Sequence, residues 1–299
     1  EVENSINEYL SFSKKNLVTT TYYPDKEYTS FLKTNLNFLK FFYENCPEFF
    51  FFRTDWQDPK TLNISLHLCI LLKLFEKNIV FYSHSGDPNW INNQVRSWVC
   101  KKIFDAHSFL PKVFIKKTKI TEPMPEFGIP TSNLHEPSIN RQHEIFYIGR
   151  LPQDDERYNI LNFLKKNKVD IKIFGESTNN FLNDHKFLEI YRSYKITINF
   201  PKQVMVKGIT SNFAFRGRVL DALSNGVLLF DQKNPFMDLF FKEGVHYINY
   251  NDSNDLLEKI QYYQKNYNTD GIKIANNGFN LVKTELNSHK VWRNIFEKI

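Results

Sequence analysis

The chain has 299 residues, 41% of them hydrophobic and 24% charged, enough for one large or two ordinary domains because single cores tend to divide beyond ~250–300 residues. Its 29 Phe and 15 Tyr exclude a disordered polar chain, and its 10 Gly and 12 Pro exclude a collagen-like or linker-dominated one. The net charge of +6 is spread along the sequence, which suits an anionic small molecule or an acidic membrane surface; no nucleic acid is expected, since there is no dense basic run and no recognition motif.

In chain order, Leu36–Tyr43 reads as a helix and Glu48–Phe52 as a buried strand. Leu62–Glu76 has apolar residues at helical spacing, and its richest run, Leu66–Leu72, is stopped by Lys73 well short of the ~18–20 residues that cross a bilayer. A strand over Asn78–Ser83, a helix over Asp87–Ser97 and a short strand over Ile103–Phe109 follow. Cys46, Cys69 and Cys100 are far apart and form no C-x-x-C pair, so neither a disulfide framework nor a structural zinc site is expected. With an acidic, polar opening (Glu1-Val2-Glu3-Asn4) unlike a secretory signal, a cytoplasmic setting is the expectation.

Pro123, Pro125, Pro130 and Pro137, with Gly128, crowd the passage from Thr121 to Ser138; proline lacks the backbone donor, so neither a helix nor a central strand should cross it. It marks a hinge, with a division into 1–139 and 140–299. Beyond it the alternation sharpens: strand Glu144–Gly149, helix Asp155–Lys166, strand Val169–Phe174, helix Phe187–Tyr194 and strand Ile196–Phe200. Helix Arg218–Ser224, strands Val227–Phe230 and His246–Asn249, and helix Asp255–Tyr267 with Ser253 or Asn254 as N-cap come next. Gly271 to Ile299 reads as helical with a break near Asn287-Ser288. Strands alternating with helices predict parallel sheets, hence an α/β chain of two Rossmann-like halves.

Ligands of such sheets sit beyond the carboxyl ends of strands, which singles out four places. Gly149-Arg150-Leu151 follows the strand Ile145–Ile148: the glycine permits a tight turn and the guanidinium a two-pronged grip on phosphate, although a surface arginine after a turn gives the same pattern. Gly175, after the strand ending at Phe174, permits close approach of a ligand or marks a simple turn. From Lys202 to Gly226, Lys202, Lys207, Arg216 and Arg218 precede a helix, with Gly208, Thr210, Ser211 and Asn212 among them; this reads as a loop of small donors and cations cradling a diphosphate, with Asp221 one turn on to accept from ribose hydroxyls. Cations at a helix N-terminus oppose its dipole, a conflict that a bound anion relieves; scattered charge on a solvated loop is the plainer account. In the first half, His84 and Asp87 follow the strand Ile79–Tyr82 and are candidates for a catalytic base, or a packed histidine and a helix cap.

Tyr147-Ile148-Gly149-Arg150-Leu151, Ile173-Phe174-Gly175 and Arg218-Val219-Leu220-Asp221-Ala222-Leu223-Ser224-Asn225-Gly226 stand in the order seen in GT-B glycosyltransferases, and the last resembles the nucleotide-sugar helix of group 1. Phe240–Val245, Leu256–Ile260, Ile274–Gly278, His289 and Arg293 resemble the closing pattern of its spore-maturation branch. The resemblance implies two Rossmann-like domains facing a central cleft, an acceptor side in 1–139 and a nucleotide-sugar side in 140–299. It implies sugar transfer from a nucleoside-diphosphate-sugar to a glycan, lipid-linked or protein acceptor, with no metal and no cofactor beyond the donor itself. Carried over, Arg150 and Arg218 contact phosphate, with Lys202, Lys207 and Arg216 as companions, and Asp221 stands where the family has its ribose-binding Glu. Phe213 stands where the family has a second acidic residue, and the glycine-rich turn near the start of the first half is missing. The rival class is a peripheral membrane or nucleotide-binding protein without transferase activity: Phe38, Phe41, Phe42 and Phe49–Phe52, with Lys33, Lys40 and Arg53, make an aromatic, basic zone suited to the inner face of an anionic membrane.

Overall fold

A computed structural model describes residues 2–12, 31–45, 49–54, 74, 78–83, 102–105, 122–123, 128–138, 140–149, 151, 155–175, 182–206, 210–213, 215 and 217–297. They fall into two compact units, the first of Glu1–Phe127, Gln203–Ala214 and Val291–Ile299, the second of Gly128–Lys202 and Phe215–Lys290. Set beside the sequence division at 139/140, the change of unit comes earlier, inside the proline-rich passage, and the first unit also holds two later segments.

The first unit opens with helices α1 (Val2–Phe12) and α2 (Phe31–Asn45). Its sheet has the order β1 (Phe49–Thr54), β2 (Asn78–Ser83), β3 (Lys102–Asp105), β4 (Glu122–Pro123), all neighbours parallel. Pro123 lies in the two-residue edge strand, where a missing backbone donor costs least. The helices expected over Leu62–Glu76 and Asp87–Ser97 lie outside the described residues, apart from helical Leu74.

The second unit runs β5 (His143–Ile148), α3 (Glu156–Lys166), β6 (Ile171–Phe174), α4 (Asp184–Ser193) and β7 (Tyr194–Asn199). The chain then forms a two-stranded pairing of β8 (Lys202–Val206) and β9 (Thr210–Phe213), and returns through α5 (Gly217–Ser224), β10 (Leu228–Gln232), β11 (Ile248–Tyr250), α6 (Ser253–Lys265), α7 (Ile272–Glu285) and α8 (Ser288–Glu297). The β8–β9 pairing corrects the expected loop: β-branched Val204, Val206 and Thr210 favour extended backbone, a signal obscured by the basic and small residues around them. The cap of α6 is also corrected, because the Asp252 side chain accepts from both Asn254 N and Asp255 N.

The five-stranded sheet has the order β11-β10-β7-β5-β6 and is parallel throughout. Its strands alternate between two buried layers, as helices on both faces demand. Ile145, Tyr147, Leu228 and Phe230 join Leu161 and Leu164 of α3 and Leu256 and Ile260 of α6 on one face. Phe146 and Leu229 join Tyr191 of α4, Leu220 and Leu223 of α5 and Val282 of α7 on the other. Buried Arg141 fastens that second layer: it donates to the carbonyls of Tyr191 (2.5 Å) and Tyr194 (2.6 Å) at the end of α4 and of Asn225 (2.5 Å) and Gly226 (3.0 Å) at the end of α5, where a cation meets the negative ends of two helix dipoles. Within the first unit the closing residues return to α1, Trp292 donating to Ser5 Oγ at 2.9 Å and Phe296 stacking on Tyr9.

Candidate functional site

The strand order fixes where a ligand has room. From β5 the sheet grows to one side through β6 and to the other through β7, β10 and β11, so the crossovers part at the carboxyl end of β5. Two glycines line that edge. Gly149, next after β5, has φ +151°, and Gly175, next after β6, has φ +76°. They are neighbours in space: Gly149 N donates to Phe174 O at 3.0 Å, and a Cβ on Gly175 would stand 3.6 Å from Gly149 N.

Arg218, the second residue of α5, comes from the other side of the sheet and crosses this edge. Its Nη1 donates to the carbonyl of Ile148 at 2.5 Å and to Tyr147 Oη at 3.4 Å, and its guanidinium carbon lies 5.8 Å from the Tyr147 ring centre. Helix α5 packs on the face of Phe146, whereas Tyr147 points into the opposite layer, so the arginine passes over the sheet where Gly149 has no side chain. A Cβ on Gly149 would fall 2.5 Å from Arg218 Nη1 and 2.6 Å from Tyr147 Oη. Among the described residues the hydrogen bonds of Arg218 all run from Nη1 and none from the Nε–Nη2 edge, with which arginine grips two oxygens at once. The first turn of α5, whose amides have no partner within the helix itself, adds positive character beside it.

Two further groups complete the edge, neither singled out in the sequence. At the start of α3, Asp155 accepts from Arg157 N at 2.9 Å and from its guanidinium; burial raises the Asp155 carboxyl, but these bonds and the charge of Arg157 outweigh it and hold the group below its usual value. At the end of β10, Asp231 is fully buried and accepts from Asn199 Nδ2 at 2.7 Å, across the register that pairs the two residues. Burial pushes its carboxyl up to about 8, against opposing pulls from Asn199, the Arg218 charge and Asn234. Asp231 ends a hydrophobic strand and reads in sequence as the polar start of a turn; Arg157 sits in a solvated-looking helix start.

Of the residues expected at the site, the structure brings together Gly149, Gly175 and Arg218. Asp221 lies one turn further along α5, half-buried, and its charge, like that of Arg218, acts on the buried Tyr191 phenol, which burial first of all raises well above its usual value. Lys202 is on β8, and Ser211 and Asn212 are on β9, strands rather than a loop; Lys202 belongs to the second unit, Ser211 and Asn212 to the first. His84, Asp87, Arg150, Lys207 and Arg216 lie outside the described residues. No group of three or more His, Cys, Asp or Glu that would hold a metal ion occurs among the described residues, and none of their helices is long and apolar enough to cross a membrane.

The close approach at Gly149 yields a test. Gly149→Ala is expected to displace Arg218 and Tyr147 and to weaken anion binding at this edge at least tenfold, on top of about 1–3 kcal/mol of backbone strain. Gly244→Ala is the control, since it shares a positive φ of +71° but meets nothing within 4 Å; melting curves should show strain in both variants, and titration a binding loss only in the first.

Residues 157–297, just under half of the chain, match the family model described as "Glycosyl transferase-like". Among solved structures, HepE of Anabaena in complex with UDP is similar at a TM-score of 0.62 and 10% identity, covering 89% of this chain and 81% of that chain. Sucrose-phosphate synthase from Thermosynechococcus elongatus (TM-score 0.54, 11% identity, 95% of this chain and 83% of that one) is similar too. So is a glycosyltransferase from Rickettsia africae (TM-score 0.52, 12% identity, 87% and 86%). No curated protein matches the sequence. At these identities the likeness is one of fold, and that fold is the α/β GT-B class expected from the sequence.

Proposed function

We propose that this chain is a glycosyltransferase that moves a sugar from a nucleoside-diphosphate-sugar to a glycan, lipid-linked or protein acceptor, and that its second unit holds the donor. The observation that carries the reading is Arg218: a guanidinium at a helix N-terminus, fastened by one nitrogen to the carbonyl of Ile148 at the point where the crossovers part, above two glycines. The match of residues 157–297 to a glycosyl transferase-like family supports it independently. HepE binds UDP and UDP-glucose, which makes uridine diphosphate sugars the first donors to try.

The chemistry follows from charge. When the bond between the anomeric carbon and the phosphate oxygen breaks, negative charge accumulates on the departing diphosphate. A fixed guanidinium and helix amides already aimed at that oxygen stabilise the developing charge more than the ground state, which lowers the barrier. With that charge met by protein groups, no catalytic metal is needed. In this reading Asp221 accepts from the ribose, Arg150, Lys202 and Arg216 add positive charge, and His84 or Asp87 activates the acceptor. Membership of the spore-maturation branch and a cytoplasmic setting belong to the same proposal.

In excess EDTA, UDP is expected to raise the melting temperature by several degrees while uridine does not, and a UDP-sugar is expected to be consumed when acceptor is supplied. Stabilisation by UDP without any turnover would favour a nucleotide-binding protein of this fold, and strict dependence on a divalent ion would overturn the metal-free reading.

A lipid-linked acceptor has support on α2, where exposed Lys33, Leu36, Lys40 and Tyr43 follow one another at helical spacing. Such a stripe suits an anionic bilayer surface. Co-sedimentation with anionic vesicles, reduced when Lys33 and Lys40 are both changed to Glu, checks that contact; equal sedimentation of both proteins would remove it.

A further inference from the structure

Tyr147 stands near two arginines, of which the donor reading uses only Arg218. Its ring is fully buried in the layer beneath α3 and α6, so its hydroxyl is held at a fixed height at the end of β5. That hydroxyl is 3.4 Å from Arg218 Nη1, and the Arg157 guanidinium, bonded first of all to Asp155, lies near it. Arg157 is the second residue of α3 and Arg218 the second residue of α5, so the first turns of two helices each bring a guanidinium to the neighbourhood of this phenol. Arg157 is in addition tied to Asp155, whereas among the described residues no carboxylate lies within ion-pair distance of Arg218. The two cations are therefore not equivalent: Arg157 is paired with a carboxylate and fixed, whereas Arg218 rests against the phenol.

We propose that Tyr147, with Arg157 beside it, is a positioning residue for the donor diphosphate: it fixes the angle at which Arg218, held over Gly149 by Nη1, presents its Nε–Nη2 edge. The contact with the Ile148 carbonyl is a single point about which a guanidinium can turn. The hydroxyl at 3.4 Å and the ring face at 5.8 Å supply the second and third points that stop the turning. The order of support runs from Asp155 through Arg157 and Tyr147 to Arg218. This inference rests on the donor reading above and adds to it two residues that touch the reaction only through another.

The experiment is titration of UDP and of uridine into the wild-type chain, Tyr147→Phe, Arg157→Gln, Arg218→Ala and the two double variants with Arg218→Ala. Tyr147→Phe keeps the buried ring, and melting curves establish that each variant folds. Both single changes are expected to weaken UDP binding roughly five- to twentyfold, to leave uridine binding unchanged, and to add less than twofold once Arg218 is already alanine. Wild-type affinity for UDP in folded Tyr147→Phe would overturn the proposal while leaving the donor reading intact. So would an equal loss in the Arg218→Ala background, which marks a purely structural role. Absence of UDP binding by the wild-type chain would overturn both.

Discussion

Replacing Arg218 with alanine is expected to reduce kcat/KM for the sugar donor by a factor on the order of 30–1,000, equivalent to about 2–4 kcal/mol of transition-state stabilisation. The size follows from the setting. The guanidinium is half-buried and anchored, so its interaction with a diphosphate is little screened and little entropy is lost in aiming it. Truncation also leaves the Ile148 carbonyl without this donor and the diphosphate facing an uncompensated gap. Arg218→Lys restores the charge but not the two-pronged grip, so it is expected to recover only part of the loss. Because charge on the leaving group is largest in the transition state, kcat should fall as well as affinity. Steady-state kinetics with a UDP-sugar, alongside UDP titration, checks both; an Arg218→Ala enzyme within twofold of wild type would place the diphosphate elsewhere.

The second large effect concerns stability and pH. Asp231 is fully buried at the carboxyl end of β10, and its carboxyl titrates near 8 in the folded chain instead of near the usual 3.8. The folded state therefore holds a proton that the unfolded state releases. The stability this contributes is complete below the unfolded value, declines as pH rises from about 4 and is gone once pH passes about 8. At pH 7 the loss amounts to roughly 4 kcal/mol, from about three units at 1.36 kcal/mol each. Asp231→Asn keeps the shape and the acceptor for Asn199 Nδ2 but cannot ionise. It is expected to be more stable than wild type near pH 8, by on the order of 10 °C in melting temperature, with the gap closing toward pH 4. Superimposable melting-temperature profiles from pH 4 to 9 would mean that Asp231 does not titrate in this range.

The sequence makes legible those features that rest on local rules. A glycine directly after an apolar run marks the end of β5 and of β6, and both glycines prove to be neighbours at the edge with positive φ. Arg218 is legible because it opens a helix whose apolar spacing is unmistakable. What escapes is whatever depends on pairing across the sheet. Tyr147 reads as one more large residue in a buried strand, and only the crossing of α5 over Gly149 brings Arg218 to it from a distance of 71 positions. Arg157 looks like a solvated helix start until Asp155 and Tyr147 close on it. Asp231 looks like the polar end of a strand, yet the register that places it beside Asn199 buries it completely. The β8–β9 pairing escapes for a different reason: cations and small residues around Lys207 dominate the composition, while the short β-branched runs on either side set the backbone. Arg141 is likewise invisible as a clamp, because its four carbonyl partners come from two helix ends remote in sequence.

The most direct measurement is a crystal structure of the chain with UDP. Diphosphate oxygens are predicted within about 3 Å of the Nε–Nη2 edge of Arg218 and of the first amides of α5, with the pyrophosphate lying over Gly149 and Gly175. A nucleotide bound at another edge of the sheet, or an Arg218 guanidinium turned away from the phosphates, would contradict the account.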